Sequence, residues 1–228
     1  MNILTSAHAL DLAGTPTFTL TMYNELVKRG HQVTVYSPLG GKLESLMRTV
    51  KTLDGLPKPN AIIAQHIPCA IDLYRYFPDI PMVFYTHGFV QDIEQPPPVP
   101  VRHYLAINEE CRDNFINQGI PTAKITVVRD FIDMDRFSPK GPINQKLKNV
   151  LFISNYKKWK NYKAVFGACQ KLGLNLTCFG SPYGRNYSIE NAINEADLAI
   201  SWARGILEGM SCGRAVLSFD RHEGDGYI

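Results

Sequence analysis

Apolar residues in this chain fall in short runs, separated by stretches in which they recur every three or four positions. Asn2–Ser6, Gln32–Tyr36, Ala61–Gln65, Met82–Thr86, His103–Ile107 and Lys124–Val128 read as buried strands. Val150–Ser154, Asn175–Phe179, Leu198–Ser201 and Ala215–Phe219 form a second set. Between them Thr17–Arg29, Ala70–Phe77, Glu109–Gln118, Tyr162–Leu172, Ile189–Ala196 and Gly205–Cys212 read as helices. In the first of these, Phe18, Met22, Leu26 and Val27 make a one-sided stripe that Gly30 ends. Strands alternating with helices imply right-handed βαβ units and parallel sheets. The periodicity lapses from Asp135 to Asn149, a polar stretch with two prolines, Pro139 and Pro142. The expected organisation is two α/β domains, residues 1–140 and 141–228.

The densest candidate chemistry lies in "EADLAISWARGILEGMSCGRAVLSFD", Glu195 to Asp220. It reads as strand, turn with Arg204 and Gly205, helix, stop at Gly213, strand. Gly205 would let a helix N-terminus with free N–H groups come close to a phosphate. Glu208, one turn in, could accept hydrogen bonds from a ribose diol. The pattern suits a nucleotide-type ligand and specifies no reaction.

Three further segments carry weaker signals. "SAHALDLAGTPTFTL" places Gly14 and Thr15 between a strand and a helix, a turn suited to an anion. An ordinary strand-to-helix turn explains it equally well, and the G-x-G-x-x-G and P-loop patterns are absent. His87 and Gly88 end a strand in "VFYTHGF", where an imidazole could donate to a sugar hydroxyl or steady a developing charge; a structural histidine is the commoner case. His66 sits similarly one strand earlier. Lys157, Lys158 and Lys160 follow the first strand of the second half, as lysines attracting a diphosphate would, although a solvated basic loop accounts for them too. The proline-rich loop Gln91–Arg102 follows a strand end and is either a solvated connection or part of an acceptor site. The "DMD" of Asp133–Asp135 is placed as a hinge turn, and no metal-ligand spacing is present.

Composition narrows the class without naming it. The chain has 228 residues, 45% hydrophobic and 20% charged, as an ordinary globular protein does. A net charge of +3 gives no argument for nucleic acid. Five scattered cysteines with no C-x-x-C pair point to reduced thiols in a cytoplasmic setting. No signal peptide and no membrane-length apolar run are evident. "NYKKWKNYK", Asn155 to Lys163, mixes lysines and aromatics and leaves peripheral contact with the inner face of a membrane open.

Four segments, in order, resemble glycosyltransferase family 4, the group 1 retaining enzymes of GT-B architecture. The opening "MNILTSAHALDLAGTPTFTLTMYNELVKRGHQVTVYSP" is similar to the family's first strand, Gly loop and "RGHxVTV" entry. "VVRDFIDMDRFSP" resembles its "NGVDxxRFSP" segment, "VLFISNYKKWKN" the start of its donor domain, and "ARGILEGMSCGRAVLSFD" its "LEAMACGxPVI" helix and strand. The resemblance implies an α/β chain of two Rossmann-like parallel-sheet domains, the second incomplete. It implies a glycosyltransferase moving a sugar from a nucleotide diphosphate sugar to a glycan, lipid or other acceptor, as in polysaccharide biosynthesis. Configuration would be retained, with neither metal nor cofactor. His87 would be catalytic. Glu208, Lys160, Gly205, Arg204, Gly14 and Thr15 would bind the donor, with Glu208 on the ribose and Lys160 on the diphosphate. Partners would be the nucleotide sugar and a glycan or lipid-linked acceptor, with no nucleic acid. Three positions depart from the pattern: Ile200 stands where the family has its first glutamate, Asn155 where it has an arginine, and Phe131 where it has a glycine. The chain is short for the family, so a fragment, a compact variant and an inactive sugar-nucleotide or glycan-binding module of the same fold stay open.

Overall fold

The computed structural model describes residues 1–155, 159–180, 184, 188–220 and 223–227; at 159–161, 220 and 223–227 it describes the backbone alone. The chain divides into two compact units, Met1–Asp130 and Phe131–Ile228.

In the first unit seven strands, β1 (Asn2–Ser6), β2 (Gln32–Tyr36), β3 (Thr49–Val50), β4 (Ala61–Gln65), β5 (Met82–Thr86), β6 (His103–Ala106) and β7 (Ile125–Val127), form one sheet. Their order is β3-β2-β1-β4-β5-β6-β7, and every pair is parallel. The helices are α1 (Gly14–Lys28), α2 (Ile67–Tyr76) and α3 (Glu109–Asn117). The strand order reverses between β1 and β4, which opens a crevice at their carboxyl ends. Leu4, Ile62, Ala64, Leu73, Phe84 and Phe115 pack in the core of this unit. Both α1 and α2 begin earlier than periodicity predicts, because Pro16 and Pro68 sit in first turns, where a missing N–H costs no helical bond. Asn108 caps α3 by accepting from the Cys111 N–H at 2.8 Å.

In the second unit β8 (Asn149–Ile153), β9 (Asn175–Phe179), β10 (Leu198–Ser201), β11 (Ala215–Asp220) and β12 (Glu223–Tyr227) lie in the order β12-β11-β10-β8-β9. β12 runs antiparallel to β11, and the other pairs are parallel. The helices are α4 (Trp159–Leu172), α5 (Glu190–Glu195) and α6 (Arg204–Ser211). Successive side chains of β8 serve two cores. Val150 and Phe152 pack with Val165 and Cys169 of α4, while Leu151 packs with Ile193, Ala196, Phe137 and Cys212. A sheet covered on both faces needs continuous apolar strands, which is why these runs stood out in the sequence.

The division falls after Asp130, earlier than the expected boundary at residue 140, because the intervening segment is built into the second unit. Phe137 is buried there, and its carbonyl accepts from the Ser211 hydroxyl at 2.5 Å. Downstream, the buried Asp197 carboxylate accepts from Asn144 and from the N–H groups of Lys148 and Asn149 at 2.9–3.2 Å. Asp133 Oδ1 accepts from the N–H groups of Asp135 and Arg136, both at 3.1 Å, so "DMD" forms a local turn.

Candidate functional site

In the first unit the loops after β1, β4 and β5 converge on a network of polar side chains. Gln65, the last residue of β4, is fully buried. Its backbone N–H donates to Ser6 Oγ at 3.0 Å, its Nε2 donates to Thr19 Oγ1 of α1 at 3.1 Å, and its Oε1 meets His87 Nε2 at 2.7 Å. The half-buried His87 ring also packs edge-on against Phe18 at 4.6 Å and beside Tyr85 at 4.8 Å. Tyr85 is itself anchored, its hydroxyl donating to the Val128 carbonyl at 2.6 Å.

Next to this lies a buried carboxylate that the sequence reading did not single out. Glu94 belongs to the proline-rich loop, where Asp92–Glu94 form one turn of 3₁₀ helix, and its side chain is 8% exposed. Its Oε2 accepts from the His87 backbone N–H at 2.9 Å, and its Oε1 lies 3.2 Å from His66 Nε2. His66 Nδ1 accepts from the His8 backbone N–H at 3.2 Å, so the proton that meets Glu94 is on Nε2. Burial pushes the Glu94 carboxyl up, but the bond from His66 and the two nearby imidazoles outweigh it and hold the group below its ordinary 4.5. The loop after β5 is thus pinned to the strand ends by a charge. His66 holds a positive φ of 67°, a conformation that favours glycine.

Gly14 and Thr15 open α1 on the same side of the sheet, since Thr19, one turn on, contacts Gln65 and Phe18 contacts His87. No side chain caps this helix, and a Cβ at Gly14 would meet nothing within 4 Å. The three expected residues of this unit, His87, Gly14 and Thr15, therefore belong to one neighbourhood.

The second unit has its own strand-end turn. β10 ends at Ser201, whose hydroxyl donates to the Ile153 carbonyl at 3.2 Å. The chain passes the half-exposed Trp202 and turns at Ala203, φ 48°, into α6. Arg204 and Glu208 are each only 7% exposed, and Arg204 Nε donates to Glu208 Oε1 at 3.2 Å. A second guanidinium nitrogen donates to the Phe131 carbonyl at 2.6 Å. Glycine is required at 205, because a Cβ there would collide with the Ser201 side chain. At Gly209 a Cβ would lie 2.6 Å from Val216 Cγ1. The two glycines bring α6 down onto β10 and β11, and this close packing sets where Glu208 stands.

Ile200 lies inside β10, buried among Val150 and Phe152. The turn into α6 is so short that the position eight before Glu208 falls in the core, where an ionised carboxylate would be unsupported. Asn155 is exposed at the end of β8. Lys157 and Lys158 lie outside the described residues, and of Lys160 only the backbone, in the first turn of α4, is described. Arg204, Gly205 and Glu208 are brought together; the lysines cannot be placed beside them. Among the described residues no group of three or more His, Cys, Asp or Glu is arranged to hold a metal ion, and no helix is long and apolar enough to cross a membrane. The cysteines are free, and burial pushes the Cys69 thiol up to about 12.

No profile of a known protein family matches the chain, and no curated protein matches its sequence. Solved structures do match its backbone. Anabaena Alr3699/HepE in complex with UDP-glucose superposes with a TM-score of 0.67 at 14% identity, over 95% of this chain and 79% of its own. An alpha-glucosyltransferase bound to UDP and a 13-mer DNA gives a TM-score of 0.71 at 14% identity, over the same 95% and 79%. The fold is the GT-B fold. A putative UDP-N-acetylglucosamine 2-epimerase from Listeria monocytogenes shares it with a TM-score of 0.58 at 8% identity, over 96% of this chain and 79% of its own. At these identities the likeness is one of fold, and this fold carries more than one chemistry.

Proposed function

We propose that the chain is a glycosyltransferase that moves a sugar from a nucleotide diphosphate donor to a glycan or lipid-linked acceptor, with retained configuration and without a metal. One observation carries this reading: each unit gathers buried ionisable and amide side chains at the carboxyl ends of the strands where its order reverses, on a fold that a UDP-bound alpha-glucosyltransferase shares. In this reading the second unit holds the donor. Glu208, buried one turn into α6, meets the ribose. Lys160, Arg204 and the start of α6 at Gly205 serve the diphosphate. The first unit takes the acceptor, with His87 as the catalytic residue at the reacting sugar, and its Gly14–Thr15 turn contributes to donor binding. A cytoplasmic setting at the inner face of a membrane fits a lipid-linked acceptor.

The test is transfer and hydrolysis of a panel of nucleotide sugars in the presence of EDTA, with the anomeric configuration of the product read by NMR. Turnover that survives chelation and retains configuration supports the proposal, and inversion or metal dependence contradicts it. His87→Ala should lower turnover while nucleotide affinity stays. A second reading, an inactive sugar-nucleotide or glycan-binding module, is favoured by the burial of Ile200 where the family pattern has a carboxylate. Nucleotide binding with neither transfer nor hydrolysis would select it.

A further inference from the structure

The turn between β10 and α6 carries an open indole in buried surroundings. Ala199, Ile200 and Ser201 before it and Arg204, Gly205 and Ile206 after it are all buried, yet Trp202 is 46% exposed. Among the described residues its ring has no aromatic neighbour and its Nε1–H no acceptor. A tryptophan ordinarily buries most of its surface and finds a partner for its N–H where it does. The backbone beneath it is held from three sides. The Ser201 hydroxyl donates to the Ile153 carbonyl, the Trp202 carbonyl accepts from the Gly205 N–H at 3.2 Å, and Ala203 keeps φ at 48°. The indole is therefore presented by a built turn.

Its place in the sheet says what it would meet. β10 and β8 are the neighbours between which the strand order of the second unit reverses, and open parallel sheets bind ligands at the carboxyl ends of such strands. The ladder between them ends at Ile200 and Phe152, so Trp202 stands two residues past that pair and the exposed Asn155 three. A pyranose has a flat face of C–H groups and a rim of hydroxyls. An aromatic face suits the first, and an amide that both donates and accepts suits the second. Order along the chain separates sugar from base. With the ribose at Glu208 and the diphosphate at Arg204 and Gly205, Trp202 lies further along in the same direction. In a sugar nucleotide the group beyond the diphosphate, seen from the ribose, is the sugar. We infer that Trp202 is the platform on which the sugar of the donor stacks, and that this sugar is a pyranose held by its C–H face. The inference rests on the sugar-transfer reading and names a contact within it.

The experiment compares sugar nucleotides with the free diphosphates they contain. Calorimetry gives the dissociation constants of UDP-, GDP- and ADP-glucose, and of UDP, GDP and ADP, for the wild type, Trp202→Ala and Trp202→Phe. For the base that binds, Trp202→Ala should weaken the glucose nucleotide about tenfold and leave the free diphosphate unchanged, while Trp202→Phe keeps most of the affinity. Fluorescence reads the contact itself. The chain has two tryptophans, Trp159 and Trp202, so Trp159→Phe leaves Trp202 as the single indole. Its emission should move to shorter wavelength with the glucose nucleotide, as water leaves the ring, and stay in place with the free diphosphate. Equal losses for both ligands in Trp202→Ala, or no loss for either, would overturn the inference and leave the donor site standing. Failure of every one of these nucleotides to bind the wild type would overturn the donor reading, and the inference with it.

Discussion

After β4 the chain turns through His66 at φ 67°, and after β10 it turns through Ala203 at φ 48°. Each residue is the N-cap of the helix that follows, neither offers its side chain as a cap, and each follows a strand beside a reversal of order. A non-glycine residue held at positive φ costs about 1–3 kcal/mol and persists where its surroundings over-determine it. The two units over-determine these turns differently. At His66 the hold is long-range: the His8 backbone and Glu94 close on it from two distant parts of the chain, and Glu94 is in turn held by the His87 N–H past the end of β5. At Ala203 the hold is more local: Gly205 seats α6 on Ser201, and Arg204 and Glu208 pair one turn apart in the same helix, while Arg204 also reaches the distant Phe131 carbonyl. The comparison teaches that partners distant in sequence can hold a strained turn as firmly as a seated helix start whose main pair is local.

The largest expected effect lies in the local arrangement. Glu208→Ala leaves the Arg204 guanidinium buried without its carboxylate and should cost about 3–5 kcal/mol in urea denaturation. It should also weaken nucleotide binding by about 1–3 kcal/mol. A loss below 1 kcal/mol would show that the pair is solvated, and the contrast with the first unit would fail.

Glu94→Ala comes next, at about 2–4 kcal/mol, because it orphans the His87 N–H and the His66 Nε2–H together. Its pH dependence follows from the lowered carboxyl. The Glu94 contribution is present in full above its ordinary 4.5 and is lost as pH falls through the lower folded value. Stability of wild type and Glu94→Gln should therefore converge only below about pH 4.5; a gap constant down to pH 3 would show that the charge contributes nothing.

The glycines at the two helix starts give a smaller and sharper contrast. Gly205→Ala must push the Ser201 side chain aside and should cost about 1–3 kcal/mol. Gly14→Ala meets open space and should be neutral or stabilise by up to about 1 kcal/mol. Equal effects in thermal melts would remove the distinction. Smallest of all, Ala203→Gly should relieve the strained turn and gain about 1 kcal/mol, while His66→Gly should lose stability because it also removes the partner of Glu94.

The strands buried in parallel ladders were legible because their apolar runs are continuous and end in turn residues. β1, β2, β4, β5, β9 and β10 keep the limits expected from the runs. β3 and β12 were not legible: Thr49–Val50 is too short for a pattern, and "EGDGY" is a strand only because β11 pairs with it. His87 was visible as a histidine at a strand end. Its supports were not, since Gln65 looks like the polar end of an apolar run and Glu94 like a solvated acid in a proline-rich loop. Only packing reveals that both are buried. Gly205 was expected for approach to a phosphate, and the structure adds a steric demand from Ser201 that spacing alone does not contain.

The central claim, that the second unit binds a nucleotide diphosphate sugar, is tested most directly by a thermal-shift titration with UDP-, GDP- and ADP-sugars and their free diphosphates. Saturation near 100 times the dissociation constant adds about 2.7 kcal/mol to stability, roughly 5–10 °C for a chain of this length. The predicted result is a saturable rise with one base that falls away in Glu208→Ala. A flat response across the whole panel would contradict the claim.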